Sequence, residues 1–589
     1  MPDETLNPPP QLAMERLAGL GEEALCQLGA SVNRDYQNWK QSRARLENKW
    51  RECWEAYLCD VQSLYTQADS DSADRSRIAR PVLYEAVESI HANLLNAMFP
   101  ANERFFSVIG KTEVDHANAR AIEEFLRSKL EDASFIEKYA LFLKQAVITG
   151  NTVAAVPWRR TRQTRRIEQP ITLFGVTVGY QKTQQEKLVY NGPDFEVLDI
   201  FDFLVDPDAT DFEQAKVIRK VERTLRELRQ NPAYTNLEGL QPNTAHADAD
   251  EANKRSRRRT FGLDEPLNEN QAMPKISLLE AWGDFEAGDQ VYRNYVCVVA
   301  NGGTVIRFEP NPYDHGWKPF IFTNFIPVPN EVYGIGAIEK SLGLQHAINT
   351  LTNQKLDVIN LSINSPFTYL INDDVFDPDT VVTQPGALIP VKSHETLQPI
   401  QYLNNFTVAF TEIADLKAEA QEATGVLKFF AGGDNMPPRT ATEVNALLNT
   451  GTQKFSSFLS HLEHTSLEPF LRIVFENARQ FVREPESLRV CSRDGTLAFR
   501  LMLPELLKTA ECHFRIDGSR GMLLKEQELK SISTFLQLAE SSPSLRGQVD
   551  FTALYRKIYR RLGFTDEAEI FISPRPGGEN AENSDNPDA

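Results

Sequence analysis

The order of segments between Tyr333 and Phe481 constrains this chain more than any other feature. Tyr333-Gly334-Ile335-Gly336 opens an amphipathic helical pattern that Pro366 ends. A short irregular insertion follows to about 405, then a second helix over 406–424, then a Gly/Pro loop over 425–439. From Thr440 a helical pattern continues for roughly forty residues, which would span roughly 60 Å. In the first helix Leu344, Ile348, Leu351 and Val358 keep one apolar stripe, with Asn349, Asn353 and Asn360 on other faces. In the second, Phe410, Ile413, Leu416 and Ala420 form the stripe, and Glu412, Asp415, Glu419 and Glu422 stand against a single Lys417. Each helix is apolar on one side only, so each needs a neighbour. Periodicity alone favours an ordinary helical hairpin packed on its own domain. The order of the pieces points further, to two helices side by side, with β-structure between their far ends and a loop at their near ends.

The rest of the chain reads as α+β. A helix is expected over 34–65 from the spacing of Tyr36, Trp39, Leu46, Trp50, Trp54, Tyr57, Leu58 and Val61. A second follows Arg80-Pro81 with Val82, Ala86, Ile90, Leu94 and Met98 inward, and Pro100 stops it. A third covers 117–130 and leads through Phe135 into a fourth ending near Gly150. After Gly150-Asn151, strands are expected at 152–158, 171–178, 217–221, 276–282, 291–300 and 305–308. The polar stretch 231–273 has no periodicity and reads as a surface loop. Its basic run Lys254-Arg255-Ser256-Arg257-Arg258-Arg259 reads as solvated charge, with a nucleic-acid or partner contact as the alternative. Pro469 falls inside the long helical pattern and should kink it. Short strands mix with helices at 523–539 and 551–562, and a tail from Asp566 carries seven acids against one Arg.

Composition limits the function classes. With 589 residues, 41% hydrophobic and 25% charged, the chain is large enough for several packed domains of ordinary globular composition. No window approaches the ~18 apolar residues of a membrane helix, and the proline-rich N-terminus does not read as a signal peptide. The six cysteines are scattered without a C-x-x-C pair and are expected to be reduced and mostly buried. The net charge of −19 argues against a sequence-reading DNA binder, since Lys and Arg on phosphates supply most of such affinity. An acidic protein that handles DNA has to confine it without gripping it.

The segment order, together with Asn311-Pro312, Pro319-Phe320, Tyr333-Gly334 and Arg439-Thr440-Ala441-Thr442-Glu443-Val444, resembles the podovirus-type portal proteins of tailed double-stranded DNA bacteriophages. Gly150-Asn151-Thr152 and Asp206-Pro207-Asp208 are similar to portal wing segments, and the resemblance runs from about residue 35 to 565. It implies an α/β wing over 1–330, a first stem helix over 331–364, a small α/β clip over 365–405 and a second stem helix over 406–425. It further implies a tunnel loop over 426–439, a long kinked helix over 440–482, a mainly helical crown over 483–565 and an acidic tail over 566–589. The implied assembly is a ring, dodecameric by the family rule, at one capsid vertex of the virion, built in the host cytoplasm. Double-stranded DNA would pass through it. Terminase, then head–tail adaptor and tail proteins, would dock on it, and the major capsid protein and possible scaffolding protein would surround it. Within the tunnel loop, Lys428, Phe429, Phe430, Gly432, Gly433, Asn435 and Arg439 would face DNA. Lys340, Lys355, Glu412, Asp415, Lys417, Glu419 and Glu422 would belong to the stem, and Asp373, Asp374, Asp377 and Asp379 to the clip.

No catalytic, metal or cofactor site is expected. Gly334-Ile335-Gly336-Ala337-Ile338-Glu339-Lys340-Ser341 misses the phosphate loop because Glu339 stands where the second glycine must let amides approach phosphate. The clip acids lack the EF-hand order and read as solvated turn residues. His461 and His464 lack the Glu of H-E-x-x-H and read as surface residues. The alternatives to a channel are a virion scaffold or adaptor without one, and, further off, an enzyme of the packaging machine.

Overall fold

The structure, a computed structural model, describes residues 20–59, 76–100, 105–173, 176–241, 275–288, 290–363, 367–369, 397–399, 406–423, 457–491 and 497–517, with 532, 535, 536 and 555. The chain divides into two units, residues 1–95 with 108–514 and residues 96–107 with 515–589. In the second, Phe99, Phe105 and Phe106 make edge-on ring contacts at 5.0 and 4.8 Å, and the Asp517 amide donates to the Phe105 carbonyl.

The chain begins with helices α1 (Glu22–Leu58) and α2 (Val82–Met98), the strand β1 (Phe106–Gly110), and helices α3 (Glu113–Asp132) and α4 (Phe135–Thr149). Helix α1 starts earlier and ends earlier than its aromatic spacing suggests, closing at Cys59 in the left-handed region. The strands are β2 (Asn151–Ala155), β3 (Trp158–Leu173), β4 (Val176–Pro193), β5 (Glu196–Leu198), β6 (Phe203–Val205), β7 (Val217–Thr224), β8 (Lys275–Ala287), β9 (Gln290–Ala300), β10 (Thr304–Pro310) and β11 (Phe320–Asn324). The short helix α5 (Leu225–Gln230) follows β7. Residues 171–178, expected as one strand, instead hold the end of β3 and the start of β4, two arms of a long hairpin.

The main sheet is antiparallel in the order β10-β9-β8-β7-β6. Its register sets Leu204, Ile218, Ala281, Leu279, Cys297 and Val299 in one apolar layer with Leu28, Val32, Tyr36 and Trp39 of α1. A period-two face thus meets a period-3.6 stripe, each burying what the other cannot cover alone. A smaller sheet, β11-β2-β5, carries the corner where α4 turns into β2.

Beyond β11 come α6 (Leu342–Ile363), the paired strands β12 (Phe367–Tyr369) and β13 (Leu397–Pro399), and α7 (Phe406–Ala423). Residues 457–462 are helical, followed by a π-helical turn at Glu463–Leu467 and by α8 (Glu468–Phe481). The turn lies directly ahead of Pro469, which lacks the N–H that a regular helix would give to the preceding turn. The break expected there takes this form, an extra residue per turn absorbing the proline. Ser466 and Thr465 hold the turn by side-chain contacts to Tyr139 (2.6 Å) and Thr323 (2.5 Å), and Phe470 stacks on Phe135 at 4.2 Å. Strands β14 (Glu486–Cys491) and β15 (Leu497–Met502) pair antiparallel, and α9 (Pro504–Thr509) and β16 (Cys512–Ile516) follow.

Two side-chain expectations need correcting. Of the five cysteines whose side chains are described, Cys53 and Cys297 are buried, Cys26 is exposed, and Cys59 and Cys512 are half-buried. His461 is not a surface residue: it is half-buried and its Nε2 meets Asn324 Oδ1 at 2.8 Å. Arg43 and Glu47 are buried in α1 between Trp39 and Trp50.

His315 carries a pH dependence. It lies between the rings of Tyr313 (5.3 Å) and Trp317 (4.8 Å), and its Nδ1 accepts the Trp317 amide at 3.0 Å. An accepting Nδ1 has no proton, so the ring is held neutral with Nε2 directed at Asn477 Oδ1, 3.3 Å away. Burial pushes its pKa down from 6.5 to about 4. Above 6.5 folded and unfolded rings are both neutral. As pH falls toward 4 only the unfolded chain takes up the proton, so stability is lost across that window. Thermal melts between pH 7 and 4 should show this fall, and His315→Gln should make it shallower.

Candidate functional site

Helices α6 and α7 run antiparallel. The β12–β13 pair joins their far ends, with Phe367 opposite Pro399, and Lys355 of α6 places its Nζ 3.4 Å from the ring centroid of Phe410 on α7. Between them Ile348, Ile413 and Ala420 are buried with Val82 of α2, and Leu344, Leu351 and Leu416 pack against them. Phe410 departs from the expected stripe: it is 53% exposed, its face taken by the Lys355 cation. Glu412, Asp415 and Glu419 are exposed on α7, and Lys340 is exposed at the foot of α6. Lys417 is half-buried and reaches Glu85 of α2 at 3.8 Å. Glu422 lies within α7. Lys428, Phe429, Phe430, Gly432, Gly433, Asn435, Arg439, Asp373, Asp374, Asp377 and Asp379 lie outside the described residues, as does the run from Lys254 to Arg259.

Tyr333-Gly334-Ile335-Gly336 does not open the helix. A 3-10 turn at Glu339–Ser341 precedes α6, and Ile335 instead bridges to Ile326. The reason is the corner between α4 and β2. Gly150, at φ +80°, and Gly336 bring two backbones together, so that a Cβ on Gly150 would lie 2.3 Å from the Gly336 nitrogen and one on Gly336 would lie 2.7 Å from the Ile148 oxygen. Asn151 closes the contact from its side chain, accepting the Gly334 amide at 2.7 Å and donating to the Gly334 carbonyl at 3.0 Å. Two motifs that stand far apart in the sequence, Gly150-Asn151 and Tyr333-Gly334, therefore meet as one backbone-on-backbone footing. The glycines that mimic a phosphate loop are used up in this packing.

Tyr333 extends the footing. Its hydroxyl accepts the Val205 amide (3.1 Å) and an Arg43 nitrogen (3.2 Å). Arg43, buried within α1, also donates to Glu47 (2.9 Å) and to the carbonyls of Phe201 (3.1 Å) and Phe203 (2.5 Å). Burial works to lower the pKa of this guanidinium, but Tyr333 and Glu47 beside it raise it, so the charge is kept.

Along α6 runs a row of polar side chains that the apolar stripe conceals. Gln345, Asn349, Asn353 and Asp357 recur at intervals of four and so lie on one face. They accept the amides of Leu83 (3.3 Å), Arg80 (2.9 Å), Ile78 (2.8 Å) and Ser76 (2.7 Å) respectively. Gln345 Nε2 donates to the Arg80 carbonyl (2.7 Å) and Asn353 Nδ2 to the Ile78 carbonyl (3.2 Å), so both sides of the peptide chain are read. The fit is geometric. Four helical residues rise about 6.0 Å, and two residues of extended chain span about 6.6 Å, so from Asn349 to Asp357 each turn of α6 meets the next alternate amide, at Arg80, Ile78 and Ser76. The row pairs with backbone as a strand edge would, and fixes the segment leading into α2 whatever its side chains. The signal, amides at four-residue spacing, was present in the sequence.

A comparison with protein families matches residues 168–589, well over half of the chain, to the phage SU10 portal protein family. The chain belongs to that family. Its function is that of a phage portal protein, and the family is one of structural components of the phage capsid, not of enzymes. The match covers α6, α7 and the turn before Pro469 in this portal protein, and begins within β3. Among the described residues no helix is long and apolar enough to cross a membrane.

The amide row gives a direct prediction. Asn349→Ala or Asn353→Ala leaves a backbone amide of the 76–80 segment without its acceptor, at about 1–3 kcal/mol each. Hydrogen exchange at Arg80 or Ile78 should accelerate to match, with the melting point lowered and α7 exchange little changed.

Proposed function

We propose that copies of this portal protein close into a ring, dodecameric in the virion, in which α6 and α7 form the stem around a channel for double-stranded DNA. The observation that carries this reading is the antiparallel α6–α7 pair, apolar between its helices and acidic on the open face of α7 through Glu412, Asp415 and Glu419. Repeated around a ring, such a face repels phosphate at short range, so that DNA slides instead of sticking. The footing of α6 on the Gly150-Asn151 corner supports the same reading, because load on the stem would pass into the sheets through main chain rather than through flexible side chains. The segment between α7 and the long helix, with Lys428, Phe429, Phe430 and Arg439, acts as a variable constriction. The segment between α6 and α7, beyond the β12–β13 pair, docks the terminase during packaging and an adaptor or tail protein afterwards. The wing, residues 1–330, faces the surrounding major capsid protein. Assembly in the host cytoplasm precedes incorporation at one capsid vertex.

Electron microscopy of the purified chain should give closed rings with a hole wide enough for a duplex of about 20 Å, consistent with the groove dimensions of DNA. Deleting 429–435 should preserve those rings while filled particles are lost in a packaging assay. A compact dimer would contradict the channel, and loss of rings on deletion would make this segment part of the packed core.

A further inference from the structure

The β3–β4 ribbon is not accounted for by the stem or its footing. Its base is fixed to the body. Buried Trp158 donates to Asn191 Oδ1 (3.0 Å), Asn191 donates to Glu486 (2.7 Å), Lys129 pairs with Glu486 (2.6 Å), and Arg160 donates to the Phe481 carbonyl. Just beyond, a bulge at Val189 shifts the register, and Arg162, Gln163 and Thr164 are exposed in succession. Successive strand residues face opposite sides, so both faces of the ribbon are open to solvent there. From Arg162 to Leu173 the two strands pair only with each other, over about 40 Å. A two-stranded ribbon is marginally stable in water on its own, and among the described residues both outer edges of this one are without a strand partner. Such a shape is suited to lying against a partner.

Charge indicates which partner. Residues 158–193 hold seven Lys or Arg against two Glu, within a chain whose net charge is −19. The remainder of each copy is therefore more acidic than the whole, and a second copy offers the complementary surface. We infer that the β3–β4 ribbon is an assembly arm that docks on the acidic surface of a second copy of this chain. The inference rests on the ring proposed above, which places copies side by side. DNA is the other available polyanion, and its major groove admits a two-stranded ribbon. Leu188 and Val189, 44% and 55% exposed at the root of the arm, favour a protein surface, which can cover apolar side chains as well as charge.

The test places a photoreactive residue at Gln163 in the full-length chain, with a short DNA duplex present, and analyses the products by mass. The expected result is a crosslinked species of twice the chain mass that weakens with salt. Arg165→Glu with Arg166→Glu should reduce it by about tenfold or more, with the melting temperature unchanged. Crosslinks only within one chain, or only to the duplex, overturn the inference. So do rings forming at unchanged concentration in the charge-reversed variant. Rings without ribbon crosslinks remove the arm and leave the ring; crosslinked pairs without rings support the arm and remove the ring.

Discussion

The buried guanidinium of Arg43 is the interaction on which the rest of this structure depends. A cation inside a core is tolerable only when its donors are matched, and here Glu47, two carbonyls of 201–203 and the Tyr333 hydroxyl match them. Those partners come from three places in the chain: α1 itself, the turn leading into β6, and the loop that leads to α6. Trp50 closes over the group, with Arg43 5.2 Å from its ring centroid and Phe201 edge-on at 5.6 Å. One residue thus sets the position of the first helix against the sheet and the direction from which the chain approaches α6. An apolar residue of similar volume would fill the same space without specifying any of these partners.

What the guanidinium positions, the glycine contact makes stiff. Gly150 and Gly336 allow main chain to touch main chain, and Asn151 supplies both hydrogen bonds that hold Gly334 in place. The amide row of α6 then carries the same principle along the helix, side chains bonding to backbone at each turn. This matters because α6 has little else to grip: its apolar stripe is spent on α7 and Val82. Backbone-directed bonds resist sliding along the helix axis, which apolar contact, being non-directional, does not.

Helix type and the order of elements were legible because they are local. The stripes of α2, α6 and α7 could be read at periods of three and four, and Gly150 and Pro100 mark stops that act through their own backbone. The start of α6 was misread because Gly334 and Gly336 look permissive locally and are recruited by a corner nearly two hundred residues earlier, a long-range contact that no window contains. Asn349 and Asn353 were placed off the apolar face, correctly by period, but their partners are main-chain amides, which carry no sequence signature. Phe410 was assigned to the stripe by the same period and lies outside the core, because Lys355 on the facing helix covers it instead.

The sequence by itself determined that this is a strongly acidic α+β chain with two one-sided helices flanking a β-insertion. These follow from local propensity, periodicity and charge, which each residue carries with it. The tertiary structure alone decided where α6 begins, which amides it clasps and why a cation belongs in the core of α1. Each of these depends on groups brought together from distant parts of the chain, and the free energy of such a contact exists only once the chain has closed around it.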